Sequence, residues 1–365
     1  MFYIRADGNE KIGMGHIMRC LTIADAIKAE GEEVCFLVAD EKPVKVIEDR
    51  GFQTKILFTY YDEMDVELPQ LVLQLSGDSY GSYGSYGNAT GGDATGGGSS
   101  GGCTKPRILI DSYYVTRFYL QNLQLVAQVY LMDDLMTEIY PCDGLVNYNI
   151  YGKTLGYEEA YPSGTKLFLG CEYMPLRPQF SRVDYQVREQ VKDILLTTGG
   201  GDCCHMALSF MKEVMQKEEL QKWTWHVVCG PYCSDTEELE KLADEYSFLV
   251  IHKNVTDLSE LMSRCDIGIS AAGSTLYELC AVGLPSIGFY FAENQKQNME
   301  TFGKTTPIMN AGDFSMQPDQ VMEFIEKEVR ILAESFELRG KISMALKTIV
   351  DGKGAERLAK GLLGD

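Results

Sequence analysis

"FYIRADGNEKIGMGHIMRCLTIADAIKAEGEEVCFLVA", residues 2–39, carries the pattern on which the fold turns. Residues 2–6 are a short apolar run of the buried-strand type. Residues 16–31 follow with apolar side chains at 17, 20, 21, 24 and 27, the stripe of a helix, and Gly31 stops it. Residues 33–39 read as a second strand. The alternation continues with a short helix at 43–51, a strand at 53–58 and a helix at 64–75. Strand 107–111, helix 117–127 and strand 128–133 extend it. Repeated strand–helix–strand units imply a parallel sheet with helices on both faces.

The pattern breaks at "SGDSYGSYGSYGNATGGDATGGGSSGG", residues 76–102, which holds eleven of the 36 glycines and no Lys, Arg or Glu. Such a stretch cannot offset its ordering entropy, so it reads as a flexible low-complexity insertion. Near residue 184 a second alternating half begins. Strands are expected at 193–202, 223–230, 248–253, 266–270 and 285–290, with helices at 203–217, 235–245, 257–264 and 274–282, and a helical stretch at 317–363. The expectation is α/β throughout: two doubly wound Rossmann-like domains, 1–180 and 181–365, with an active cleft between them. With 76–102 set aside, the 365 residues suit two domains at roughly 150 residues each.

The net charge of −20 argues against a nucleic-acid or anionic-membrane partner. An anionic small substrate stays open, because helix N-termini can make a positive pocket in an acidic protein. The first residues lack the basic and apolar regions of a signal peptide, and no apolar run is long enough to span a membrane. The eleven cysteines are odd in number and include no Cys-x-x-Cys pair; Cys203-Cys204-His205 and Cys229…Cys233 come nearest to metal spacing. Reduced thiols in a cytoplasmic protein, with no metal and no cofactor, is the resulting expectation.

Two loops of the second half leave strand ends and open helices: "TTGGGDCC" and "SAAGSTLYELCAVGLPSI". Gly199, Gly200, Gly201 and Gly273 let backbone N–H groups approach a ligand without a Cβ in the way. Ser274 or Thr275 can cap the second helix and reach a phosphate oxygen. Two helix N-termini aimed at one crevice would make a diphosphate site, with Glu278 one turn in to accept from ribose hydroxyls. In the first half, Gly13-x-Gly15 departs from a dinucleotide fingerprint, since Met18 stands where the third glycine belongs. Gly15 opens the backbone just ahead of His16, and histidine is the side chain that exchanges protons near neutral pH. His16 is therefore a candidate general base.

"GMGHIMRCLTIADAI", "ILIDSYYV", "LMDDLMTEIYPCDGLVNYN", "TTGGGD" and "DIGISAAGSTLYELCAVGLPSIGFYFAENQ" occur in an order that resembles one family. It is that of the UDP-2,4-diacetamido-2,4,6-trideoxy-β-L-altropyranose hydrolases of pseudaminic acid biosynthesis, with their spore-coat polysaccharide relatives. The resemblance implies the glycosyltransferase-B fold and hydrolysis of a UDP-linked amino-deoxy sugar. It implies that His16 is catalytic, that Tyr113 belongs to the active site, and that Arg5, Asp7 and Asp111 line the sugar pocket. Gly200, Gly201, Gly273, Ser274, Glu278, Asn294 and Gln295 fall on the UDP side. Ser112 departs from the pattern, since many members carry His there, and the insertion at 76–102 is foreign to it.

The chemistry is compatible with these residues. Ordinary glycosides need an acid to protonate a sugar leaving group, whereas UDP departs as a stabilised anion, so a single base can suffice. Asp133-Asp134 reads as a charged strand end rather than a carboxylate pair for a metal. A glycosyltransferase of the same fold and a non-catalytic nucleotide-sugar-binding protein are the alternatives. An acceptor site for the former would show as apolar surface near 60–75 or 113–130, where none beyond the needs of the core is expected.

Overall fold

The computed structural model describes residues 1–80 and 105–364. In chain order, the first part comprises β1 (Phe2–Ala6), α1 (Gly15–Ala29), β2 (Val34–Val38), α2 (Val44–Asp49), β3 (Gln53–Ile56) and α3 (Met64–Tyr80). Then come β4 (Arg107–Asp111), α4 (Arg117–Val126), β5 (Gln128–Met132), β6 (Gly144–Asn147), α5 (Tyr157–Ala160) and β7 (Lys166–Leu169). The second part runs β8 (Asp193–Thr197), α6 (Met206–Met215), β9 (Thr224–Cys229), α7 (Thr236–Glu245), β10 (Leu249–Lys253), α8 (Leu258–Arg264) and β11 (Ile267–Ala271). It continues with α9 (Thr275–Val282), β12 (Ser286–Tyr290), α10 (Glu293–Thr305), β13 (Met309–Asp313), α11 (Pro318–Glu334), α12 (Phe336–Leu346) and α13 (Gly354–Leu363).

The chain divides into two compact units. One holds residues 1–147, 154–168 and 356–365; the other holds 148–153 and 169–355. A single boundary at residue 180 is thus replaced by several crossings, and most of α13 belongs with the first unit. The first unit's sheet has the strand order β3-β2-β1-β4-β5-β6-β7. Its pairs from β3 to β6 are parallel. Every residue of β1 and β2 is buried, as strands covered on both faces require, whereas edge strand β3 alternates exposed and half-buried. Helix α1 buries Ile17, Cys20, Leu21, Ala24 and Ile27, the stripe read from the sequence.

The second unit's sheet has the order β10-β9-β8-β11-β12-β13, parallel throughout. In each sheet the direction of winding reverses once, between β1 and β4 and between β8 and β11. Such reversals leave a crevice beyond the strands' carboxyl ends.

Two sequence expectations change. Helix α3 runs on to Tyr80, so the first residues of the 76–102 tract continue a helix; the rest of that tract lies outside the described residues. The stretch 317–363 is helical as expected, divided into α11, α12 and α13. Strands β6, β7 and β13 and helix α10 were not anticipated. Among the described residues, no helix is long and apolar enough to cross a membrane.

Candidate functional site

In the first unit, the loop from β1 to α1 folds tightly on itself. Asn9 accepts through its side chain from the N–H groups of Lys11 (2.8 Å) and Ile12 (3.1 Å), and its own N–H donates to the Gly13 carbonyl. Gly13 has φ 72°, a left-handed conformation that suits glycine. The turn delivers His16 as the second residue of α1, beside the end of β4, where Asp111 is the last strand residue.

His16 Nδ1 lies 2.7 Å from Asp111 Oδ1. Arg19, one helical turn further along α1, grips the same carboxylate with two nitrogens, Nε at 2.6 Å from Oδ2 and Nη2 on Oδ1. Its Nη1 reaches Asp134 Oδ2 at 3.0 Å, and the Tyr113 hydroxyl donates to that same oxygen at 2.9 Å. The Tyr113 ring stands edge-on to His16, centroids 5.0 Å apart. Burial works to raise the Asp111 carboxyl, but the charges of Arg19 and then His16 outweigh it and hold it well below the usual carboxylate range. An ionised carboxylate only accepts, so the 2.7 Å contact calls for a proton on His16 Nδ1; Arg19 Nη2 lies 3.2 Å from the same nitrogen. Desolvation, then the Asp134 charge, push the Tyr113 phenol well up, which keeps it a hydrogen-bond donor.

The structure brings the candidates His16, Tyr113 and Asp111 together, with Asp111 buried as the partner of His16 rather than open as a sugar contact. The sequence reading gives Arg19 no role, although His16 and Arg19 at i, i+3 share a helix face. It also left Asp134 as a charged strand end. The neighbouring Asp133 is structural: it accepts from the N–H groups of Leu135 and Met136 and from the Tyr157 hydroxyl at 3.0 Å.

Arg5 and Asp7 lie elsewhere. Arg5 has no exposed surface and donates to Glu67 at 2.6 and 2.8 Å and to Asp7 at 2.5 Å. Asp7 accepts in turn from the Ala39 N–H, and Tyr119 and Thr59 donate to Glu67. Burial alone would lower the Arg5 guanidinium, but Asp7 and Glu67 more than offset it and keep it charged. This is an internal ion network joining β1 to α3, not an open wall for a sugar. Gly15 opens α1, and a Cβ built on it would meet nothing within 4 Å.

In the second unit, a cavity of about 570 Å³ lies beyond the carboxyl ends of β8 and β11. The loop Thr197–Asp202 forms one wall and Gly273, Ser274, Thr275 and Glu278 another. Gly199 has φ 83°, and a Cβ at Gly199, Gly200 or Gly273 would meet no protein atom within 4 Å. The space they leave is therefore cavity, not packing. The loop is braced by Tyr232, which also lines the cavity and whose N–H donates to Gly200 O at 3.0 Å. Gly230 lies against it so closely that a Cβ there would fall 2.2 Å from Gly199 O.

The expected pair of open helix N-termini is only half present. The Asp202 carboxylate, 1 % exposed, already takes the N–H groups of Met206 (2.9 Å) and Ala207 (2.8 Å) at the head of α6. Helix α9 differs: neither Ser274 nor Thr275 caps it through a side chain, so its N-terminus faces the cavity without a cap. Glu278 sits one turn in, 3.7 Å from Arg177; burial raises its carboxyl and Arg177 opposes the rise. Gln295 lines the cavity and accepts from the Phe291 N–H at 3.2 Å. Asn294 is exposed on α10 and is not part of the lining. Arg177, Tyr232 and Gly230 were missed, because they come from irregular segments whose spacing carries no periodic signal. Among the described residues, no cluster of three or more His, Cys, Asp or Glu side chains is arranged to hold a metal ion.

No family model matches the chain. It is similar to the spore coat polysaccharide biosynthesis protein SpsG of Bacillus subtilis, 26% identical over 59% of this chain and 63% of that protein. It is also similar to the UDP-2,4-diacetamido-2,4,6-trideoxy-beta-L-altropyranose hydrolase of Campylobacter jejuni, 23% identical over 54% of this chain and 70% of that one. The chain spans about six-tenths of the length of the curated relatives it matches most extensively. Among solved structures, MurG of Acinetobacter baumannii superposes over the full length of both chains with a TM-score of 0.63 at 10% identity. The fold is the two-domain glycosyltransferase-B type.

Proposed function

We propose that this protein hydrolyses a UDP-linked amino-deoxy sugar at its anomeric carbon, releasing free sugar and UDP. The observation that carries the reading is the His16–Asp111 pair: a histidine whose Nδ1 meets a buried carboxylate at 2.7 Å, which in this reading leaves Nε2 to accept a proton. The relation to an altropyranose hydrolase supports the substrate class.

In this reading the glycine loop and the uncapped head of α9 hold the diphosphate, and Glu278 accepts from the ribose. His16 Nε2 takes a proton from water as the water oxygen bonds to the anomeric carbon. The bond from that carbon to the diphosphate oxygen breaks, and its electron pair leaves on UDP. Preorganised N–H donors stabilise the departing charge where it develops. Asp111 stays ionised throughout and balances the imidazolium, while Arg19 and Tyr113 position the cluster. Arg5, Asp7 and Glu67 form a separate buried network with no part in the reaction.

A transfer reaction is the second reading, and one observation favours it. Contrary to expectation, the segments 60–75 and 113–130 carry exposed apolar side chains, among them Tyr60 (70 %), Leu73 (75 %), Phe118 (58 %) and Leu125 (72 %). Such a surface could seat an apolar acceptor. Incubation with UDP-sugars and no acceptor separates the two: the hydrolase releases UDP, and in ¹⁸O water the label enters the sugar. Release only on adding an acceptor would establish transfer, and label in UDP would mean attack at phosphorus.

A further inference from the structure

Cys203 and Cys204 stand in the turn between the glycine loop and α6, and the reaction above uses neither. Cys203 is exposed and borders the cavity, whereas Cys204 is half-buried. Their sulfurs lie 3.8 Å apart, so these adjacent side chains turn toward one another instead of diverging. The turn is pinned on both sides. Asp202 is bonded to the head of α6. His205, at φ 55°, holds Asp235 through Nδ1 at 2.7 Å.

We propose that Cys203 and Cys204 are a redox modification site, a vicinal dithiol that closes to a disulfide and so withdraws the Cys203 sulfur from the cavity wall. The oxidant is a low-molecular-weight disulfide such as oxidised glutathione. Cys203 attacks as its thiolate, forms a mixed disulfide and expels one glutathione thiolate. Cys204 then gives its proton to solvent and attacks the Cys203 sulfur, expelling the second glutathione. The two cysteines lose two electrons and two protons, and one glutathione disulfide becomes two thiols.

The order follows from the surroundings. Burial, then the Cys203 sulfur, push the Cys204 thiol up to about 11, so the exposed neighbour leads. Reversibility follows from geometry. Adjacent residues place their Cα atoms at most ~3.8 Å apart, short of the ~4.4–6.8 Å of ordinary disulfides. The ring is strained, and strained exposed disulfides are the labile, regulatory kind.

Full-length protein treated with oxidised glutathione and digested with trypsin tests this directly. Peptide 193–212 contains Cys203 and Cys204 and no other cysteine, while 223–241 contains Cys229 and Cys233. The expected result is a 193–212 peptide lighter by two hydrogens, restored by dithiothreitol. Cys204→Ser should stop at a stable glutathione adduct on Cys203. An adduct that persists in the unmutated chain, or a cross-link found only in 223–241, would overturn the proposal. A second arm rests on the nucleotide reading above: bound UDP should slow closure. If calorimetry shows UDP bound and closure proceeds at an unchanged rate, the link to the cavity is wrong. If UDP does not bind, the nucleotide reading fails, while the peptide result still decides the dithiol.

Discussion

The two sheets reverse their winding in the same way, yet the crevices beyond the two reversals are built from opposite materials. Beyond β1 and β4 the chain packs charge: Arg19 spans Asp111 and Asp134, and His16 and Tyr113 bond to the same two carboxylates. Beyond β8 and β11 it leaves space, with glycines whose missing side chains open onto a cavity and a helix head without a cap. One topology thus provides a place, and the loop residues decide what the place can do. A dense ion cluster suits proton transfer, because its geometry is over-determined. A glycine-lined hollow suits gripping an anion through backbone donors. On the proposed function the first crevice sets rate and the second sets affinity, and substitutions should separate the two.

The largest effect is expected from His16→Asn, which keeps a hydrogen-bonding side chain of similar size but cannot serve as base. Turnover should fall about 10²–10⁴-fold. UDP affinity by calorimetry should stay put, since the cavity belongs to the other unit. An active Asn variant would remove the catalytic role, and a variant that lost UDP binding would break the division of labour.

Asp111→Asn should cost somewhat less, on the order of 10²-fold in turnover, because the imidazole loses its orienting and balancing charge. It also carries a pH signature. Asp111 is held below its unfolded value, so its contribution to stability is full above the unfolded carboxylate range near ~3.9 and is lost as pH falls below it. The gap in unfolding free energy between the unmutated chain and Asp111→Asn should narrow as the pH falls below about 4. A gap that widened in acid would reverse the assigned direction.

Gly200→Val should act on the other crevice alone. Its backbone is not in the left-handed region and a Cβ there meets only open space, so the fold should tolerate the change. UDP should bind about tenfold more weakly or worse, a cost of ~1.4 kcal/mol or more, because the added methyls occupy the hollow. Unchanged affinity would place the nucleotide elsewhere.

How much of this was legible depended on whether the information was local. The stripe of α1 and the unbroken apolar runs of β1 and β2 announce themselves, because burial on both faces demands them. Strand β13, Met-Asn-Ala-Gly-Asp, has no β-branched residue and is half-buried along its length, so no pattern marks it. The polar helix α10 was hidden for a similar reason. Site residues followed the same rule. His16 and the glycine loops were visible at strand ends. Arg5 was misplaced because its partner Glu67 stands 62 positions away, a pairing that spacing cannot reveal. Asp202 was read only as part of a ligand loop, since nothing in "GGGDCC" says that its carboxylate turns back to cap α6.

The smallest effect should come from removing residues 81–102 and joining the flanks with a short Gly-Ser linker. In the chain the tract lies between α3 and β4, on the amino-terminal side of β4. His16, Asp111 and Tyr113 gather at the carboxyl end of the same strand, the far side of the sheet. The deletion should begin after Tyr80 rather than at Ser76, because α3 runs that far and shortening it would remove a helical turn. Closure entropy changes slowly with length, about 0.6 kcal/mol per doubling, so a shorter connection should be neutral or slightly stabilising. The melting temperature should hold within a few degrees and turnover within about twofold. A large fall in melting temperature would show that the tract packs on the domain. A fall in turnover alone would tie it to the charged crevice and erase the distinction between the two ends of β4.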